Sequence, residues 1–182
     1  TAAAGKTTYT FTPTAGQCAT TTTMDITVTE GTKETVASGS WTDGTTWSGG
    51  TVPLATDNVT ILHEVTLSGS GDCNKLDITT GSLTINSGAS LITNGAVTGN
   101  ATVKSYIDGN KWHLISSPVS GALSGSFSMK YLQSFSEADY KYSDIQLTTV
   151  ELLPGQGFAL WGDASGFTHD YVGPLNTGPM SL

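Results

Sequence analysis

Basic charge is what this sequence has least of. Only 7 of its 182 residues are Lys or Arg, against 15 Asp or Glu, for a net charge of −8. Nucleic acids and anionic membrane surfaces are held through basic patches that displace counterions, so neither is an expected partner. Long apolar runs are missing as well. No stretch approaches the roughly 20 residues that a bilayer span needs, and the first residues lack the basic start and apolar core of a signal peptide. Membrane insertion is therefore not expected. The chain starts on Thr1, not on Met, and stops at Leu182 just after a strand-like stretch, so it reads as a segment cut from a longer protein.

Catalytic patterns are also lacking. The three histidines, His63, His113 and His169, stand far apart, and none lies at an i, i+4 spacing or in HExxH, so a zinc site would have to be assembled wholly by the fold. There is no GxSxG elbow, phosphate-binding loop or GxGxxG fingerprint, and Gly155-Gln-Gly-Phe reads as a tight turn into a strand. Carboxylates are numerous, but catalytic pairs need environments that push their pKa values apart, and nothing singles out such a pair. No enzyme activity and no cofactor are expected. Calcium has two candidate loops, Asp108-Gly-Asn110 and Glu137 to Asp144; neither has EF-hand spacing, and turn-making by Asp and Asn is the simpler account. The two cysteines, Cys18 and Cys73, lie in no metal-spaced pattern and fit either one disulfide or two separate thiols. Cys73 alone reads equally well as a small apolar residue pointing into a core.

What the chain does have is Thr, Ser and 22 Gly, with 37% hydrophobic residues and only 12% charged. Thr and Val suit a pleated, half-buried surface, Gly, Asn, Asp and Ser supply turns, and straight-chain helix formers are scarce. The expectation is an all-β protein of the secreted kind, with almost no helix.

Three zones differ in rhythm. In residues 1–30, Thr7-Thr-Tyr-Thr-Phe-Thr12 and Met24-Asp-Ile-Thr-Val-Thr29 alternate polar and apolar side chains around a loop containing Pro13 and Gly16, which predicts a hairpin. Its apolar residues Tyr9, Phe11, Met24, Ile26 and Val28 need a cover, because an isolated two-stranded hairpin is marginal in water. The cover is an upstream domain, the downstream β-domain, or a neighbouring copy that accepts the hairpin as a donated strand pair and so makes the chain a filament subunit.

Residues 31–110 begin with Trp41 and Trp47 among turn formers and continue with apolar pairs at Val59/Ile61, Val65/Leu67, Leu76/Ile78 and Leu83/Ile85, then Leu91, Val97, Val103 and Ile107. Turns every six to eight residues or so match the coils of a solenoid, here a short right-handed parallel β-helix of two to three coils. A sandwich of short antiparallel strands is the competing arrangement. Leu76, Ile78, Leu83, Ile85 and Leu91 are expected in one buried ladder. Trp41 and Trp47 are candidates for a sugar-binding platform, although their place before the first coil favours a cap on the open end of the core.

In residues 111–182 larger side chains alternate with polar ones, from Trp112-His-Leu-Ile through Phe127, Tyr131, Phe135, Tyr140 and Tyr142 to Gly155-Gln-Gly-Phe-Ala-Leu-Trp161, with Pro118, Pro154, Pro174 and Pro179 between. A β-sandwich-like domain is predicted there, with room for one short helical turn in 126–135.

The stretches Ser40-Trp-Thr-Asp-Gly-Thr-Thr-Trp-Ser-Gly-Gly-Thr-Val-Pro53, Thr56-Asp-Asn-Val-Thr-Ile61 and Cys73-Asn-Lys-Leu-Asp-Ile-Thr79 resemble the short β-helix modules of large surface proteins from Bacteroidetes. Lys111-Trp-His-Leu-Ile-Ser-Ser-Pro-Val119, Gly155-Gln-Gly-Phe-Ala159 and Val172-Gly-Pro-Leu-Asn-Thr-Gly178 look like the module that follows, and Tyr9 to Ala19 resembles the end of an immunoglobulin-like repeat. The resemblance implies export by the type IX route and an extracellular or cell-surface role as adhesin, stalk or filament. It implies as partners other domains of the same protein, neighbouring copies, or surface glycans. The alternative function is a glycan-binding accessory module of a secreted polysaccharide-degrading enzyme.

Overall fold

Alternation with period two runs through nearly the whole sequence, and the fold follows it. The structure, a computed structural model, describes residues 5–29 and 31–178. Among them the chain is all-β, and its helical pieces are three 3₁₀ turns of three or four residues.

Strands β1 (Gly5–Phe11) and β2 (Thr22–Val28) form an antiparallel hairpin in full register, from Gly5 opposite Val28 to Phe11 opposite Thr22. Directly opposed residues project to the same side of a sheet, so Tyr9, Phe11, Met24, Ile26 and Val28 share one face. On the other, Lys6 pairs with Asp25 at 2.8 Å and Thr8 donates its hydroxyl to the same carboxylate at 2.5 Å. Of the three covers anticipated for the apolar face, the downstream part of the chain does not provide one. Tyr9, Phe11, Met24 and Ile26 are each about half exposed, and the hairpin is a two-stranded sheet by itself.

From Gly31 the strands pair differently. In chain order they are β3 (Gly31–Glu34), β4 (Gly39–Ser40), β5 (Asp57–Ile61), β6 (Glu64–Leu67), β7 (Ser70–Cys73), β8 (Lys75–Ile78), β9 (Ser82–Ile85), β10 (Ser90–Thr93), β11 (Val97–Thr98) and β12 (Ala101–Ile107). Pairing among them is parallel throughout, in three ladders: β3-β5-β8-β11, β4-β6-β9-β12 and β7-β10. Each strand thus lies beside the one reached a full circuit later.

Inward side chains stack residue on residue along these ladders. Val59, Leu76 and Val97 form one column, Val65, Leu83 and Ala101 a second, and Leu67, Ile85 and Val103 a third. The expected single ladder of Leu76, Ile78, Leu83, Ile85 and Leu91 is corrected by this register. Those residues lie on three successive strands of one circuit, each in a different sheet, so they form one layer of the core and the ladders run across it. Leu91 is only partly buried.

One end of the stack is closed by the two tryptophans. Trp41 extends the β4 ladder through its N–H to the Thr66 carbonyl at 2.9 Å, and its ring lies over Gly71, where an added Cβ would come 2.9 Å from the indole nitrogen. Trp47 meets Trp41 edge-on, with ring centres 5.0 Å apart. Two 3₁₀ turns, Gly44–Thr46 and Ser48–Gly50, carry the chain across this end, the first capped by the Asp43 carboxylate on the Thr45 N–H at 2.9 Å.

The remaining strands are β13 (Trp112–Ile115), β14 (Leu132–Ser136), β15 (Lys141–Asp144), β16 (Phe158–Trp161) and β17 (Phe167–Gly173), with a 3₁₀ turn at Ser124–Phe127. Four of them make an antiparallel sheet in the order β13-β16-β14-β15. The fifth, β17, returns to the parallel ladders and pairs antiparallel with β12 along its whole length, from Ala101 opposite Gly173 to Ile107 opposite Phe167. The last strand of the second ladder therefore has its free edge covered. A second core of Ile107, Val119, Phe127, Leu132, Leu152, Phe158, Leu160 and Tyr171 lies between this pair and the inner face of the four-stranded sheet, and Val103 and Leu175 pack against both cores. Residues 111–178 thus share a sheet and a core boundary with residues 31–110.

Candidate ligand-binding face

The four-stranded sheet buries one face and leaves the other open. Leu132, Phe158 and Leu160 point into the second core, so by alternation their sequence neighbours project outward. Cross-strand register sorts those outward residues into rows. Trp112 stands opposite Trp161; Leu114, Ala159, Gln133 and Asp144 follow across all four strands; Phe135 stands opposite Tyr142. Two aromatic pairs therefore lie on one face, and the row between them runs from apolar Leu114 through small Ala159 to polar Gln133 and Asp144.

The pairs have defined geometry. Trp112 and Trp161 meet edge-on with centres 5.4 Å apart, and Phe135 and Tyr142 are tilted at 4.9 Å. In the middle row Gln133 donates its side-chain N–H to Asp144 at 2.8 Å. Trp112 is 49% exposed, Tyr142 52% and Leu114 81%. A groove of about 440 Å³ runs beside Leu114, Phe135, Tyr142 and Gln156 and has Glu137 at its edge. Its wall is positioned by the turn at Gly155, which has φ 79° and in which the Gln156 N–H bonds the Leu153 carbonyl at 3.1 Å before β16 begins. Gly155-Gln-Gly-Phe is thus a turn into a strand. The face offers aromatic surfaces, an amide and carboxylates within one flat area.

The residues singled out from sequence are placed elsewhere. Trp41 and Trp47 are 2% and 1% exposed and belong to the first core, so they present no ring to a ligand and the sugar-platform assignment is corrected. Apolar burial between stacked circuits is the reason, and the Trp47 indole N–H is satisfied by the Trp41 carbonyl at 2.8 Å. Cys18 and Cys73 are not brought together. Cys73 is fully buried and Cys18 is exposed in the hairpin loop, both as free thiols, so of the two alternatives the structure has the separate thiols. Burial, with the nearby Asp72 charge, pushes the Cys73 thiol up to about 12.

The histidines are separated too. His63 bonds the Thr35 carbonyl and hydroxyl through Nδ1 at 3.0 and 3.2 Å, and His113 bonds the Asp108 carbonyl at 3.0 Å. His169 is buried, stacked on Phe127 at 3.9 Å and edge-on to Tyr171 at 4.5 Å, with its Nε2 unpaired. Burial holds its imidazole below the ordinary histidine range, and the same cause pushes the Tyr171 phenol up to about 12. In the two candidate calcium loops, Asp108 is paired with Lys111 at 2.5 Å, Asn110 bonds the Ala164 carbonyl at 3.1 Å, and Asp139 accepts from the Ser136 hydroxyl at 3.0 Å. Among the described residues no three His, Cys, Asp or Glu side chains are grouped to hold a metal ion.

The aromatic face itself was missed from sequence. The signal was present in the alternation Trp112/Leu114 and in Phe135 and Tyr142 flanking a turn. Reading those four as one surface required the strand order β13-β16-β14-β15. Compared with known protein families, with curated proteins and with solved structures, the chain matches none.

Proposed function

We propose that this chain is a non-catalytic structural or adhesive module of a large bacterial cell-surface or extracellular protein. Its body is read as a short right-handed parallel β-helix joined to a sandwich-like layer, the hand being the one that parallel strand connections adopt. The observation that carries the reading is the cover that the chain's own residues give the parallel ladders. The Trp41/Trp47 pair packs over the first circuit and β17 covers the free edge of β12, which leaves exposed side-chain faces as the surfaces for contact. Among the described residues the hairpin offers the face of Tyr9, Phe11, Met24 and Ile26, and the four-stranded sheet its aromatic face. Exposed apolar patches of this kind mark interaction surfaces. The resemblance of Ser40 to Pro53 and Lys111 to Val119 to Bacteroidetes surface modules adds lineage and the type IX route to the proposal.

The test couples adhesion to turnover. Beads coated with the chain should be retained on bacterial cells or on polysaccharide-coated surfaces, while the same chain leaves a panel of polysaccharides and peptides uncleaved. Turnover that disappears on mutating a single Asp or Glu would overturn the reading. A second reading, a glycan-binding accessory module of a polysaccharide-degrading enzyme, is favoured by one observation, the rings of Trp112, Phe135 and Tyr142 on a single open face.

A further inference from the structure

We infer that the outward face of the β13-β16-β14-β15 sheet binds a neutral polysaccharide. The inference deepens the glycan-binding reading by fixing the site and the charge class of the ligand. Its first support is the layout of the face. The Trp112/Trp161 pair and the Phe135/Tyr142 pair are four residues apart along the strands, one row lying between them, about 13 Å at strand rise. Between them Ala159 keeps the centre of the sheet low. Pyranose rings have apolar C–H faces and a rim of hydroxyls. The rings of Trp112, Phe135 and Tyr142 would cover the former, as aromatic side chains do wherever a ligand presents flat apolar surface.

The second support is the polar row. Hydroxyls taken out of water need partners, and Gln133 and Asp144 stand at the level between the two aromatic pairs. Their mutual hydrogen bond uses one of the two amide N–H groups and one acceptor site of the carboxylate. The amide carbonyl and the rest of the carboxylate remain to meet sugar hydroxyls. The mutual bond also holds both side chains in place, so little ordering is left for the ligand to impose.

Charge sets the class. Asp144 lies in the middle of the face and Glu137 at the edge of the groove, on a chain of net charge −8. Lys141 stands opposite Ser136 and by alternation projects from the other side of the sheet. An anionic glycan would meet repulsion without a compensating cation. A protein partner of ordinary size would cover about 800 Å² per side and enclose the Gln133–Asp144 row, leaving its polar groups unpaired unless the partner matched each one. A hydroxyl-rich neutral chain satisfies that row along its length.

Affinity electrophoresis tests this with glucomannan, arabinoxylan, mixed-linkage β-glucan and dextran as neutral probes, and polygalacturonate and alginate as anionic ones. Retardation by at least one neutral polysaccharide is expected, weakened at least tenfold in Tyr142→Ala and Phe135→Ala and unaltered in Tyr9→Ala on the hairpin. Melting curves confirm that each variant is folded, and Asp144→Asn, which keeps shape, should weaken binding without loss of fold. No retardation by any neutral probe, retardation by the anionic ones alone, or retardation indifferent to Tyr142 and Phe135 would overturn the inference. Bead retention on cells without polysaccharide retardation would overturn it while leaving the adhesive reading in place.

Discussion

Trp47 donates its indole N–H to the main-chain carbonyl of Trp41 at 2.8 Å, inside the core, six residues downstream of its acceptor. That bond lets a polar handle be buried without penalty at the open end of a stack of strands. Trp47→Phe keeps most of the apolar contact but strands the Trp41 carbonyl, and should lower stability by about 1–3 kcal/mol. Trp41→Ala should cost more, roughly 3–5 kcal/mol, through the cavity it leaves. Urea unfolding curves separate the two.

Ile85 sits between Leu67 and Val103 in its inward column and is 6% exposed. Ile85→Asp places a charge there without a partner and should unfold the body at room temperature. Ile92, in the same circuit, is 58% exposed, and Ile92→Asp should leave the melting temperature within about 2 °C of the parent, as surface substitutions do. Equal effects at the two positions would contradict the inward and outward assignment.

His169 makes stability depend on pH. Burial lowers its folded pKa below the unfolded value near 6.5, so below that pH the unfolded chain binds the extra proton. The stabilising contribution is complete above about pH 6.5 and is lost as pH falls toward the folded pKa. The urea midpoint should therefore drop between pH 7.5 and 5.5, and His169→Phe, which keeps a ring against Phe127 and Tyr171, should flatten that part of the profile. An unchanged pH profile in the variant would show that other groups set it.

The two thiols should differ in reactivity. Cys18 is exposed while Cys73 is buried and held protonated, and the thiolate is the reactive form. A chromogenic disulfide reagent at pH 8 should titrate one thiol in the native chain and two in guanidinium chloride.

Much of the body was legible in the sequence, and the reason is local. Pairs such as Val59/Ile61 and Leu83/Ile85 both point inward and alternate with outward residues such as Thr60 and Thr84 between turns of Gly, Ser, Asn and Asp, and that period needs no tertiary information. The ladder assignment of Leu76 through Leu91 went wrong because partners in a parallel stack lie a whole circuit apart, a separation the alternation does not encode. The return of β17 to β12 was hidden for the same cause: Phe167 to Gly173 reads as one more alternating strand, and only its packing on Ile107 and Phe127 says where it belongs. Trp41 and Trp47 among Gly, Thr and Ser read equally as exposed rings or as a cap, and burial decided. The aromatic face escaped because its members come from four strands between Trp112 and Trp161, and register alone aligns them.

The hairpin offers an independent check on the separateness of the N-terminal strands. Removing residues 1–30 should leave the thermal transition of the body unchanged, since no other strand is hydrogen-bonded to β1 or β2 among the described residues. Sedimentation of the intact chain reads the other function of its apolar face. Assemblies that vanish on truncation identify a neighbouring copy as the cover, and a monomer in both forms rules that cover out.

Both exposed faces are displayed by a body of parallel circuits, and backbone NMR reads that arrangement directly. Thr66 stands beside Thr84, and Thr84 beside Thr102, in one outward column of the second ladder. Inter-strand NOEs linking the backbone of Thr66 to that of Thr84, and of Thr84 to that of Thr102, in parallel pattern are the expected result. Antiparallel NOEs joining β6 to β7 or β8 to β9, strands adjacent in sequence, would replace the parallel ladders with a meander and contradict the reading at its base.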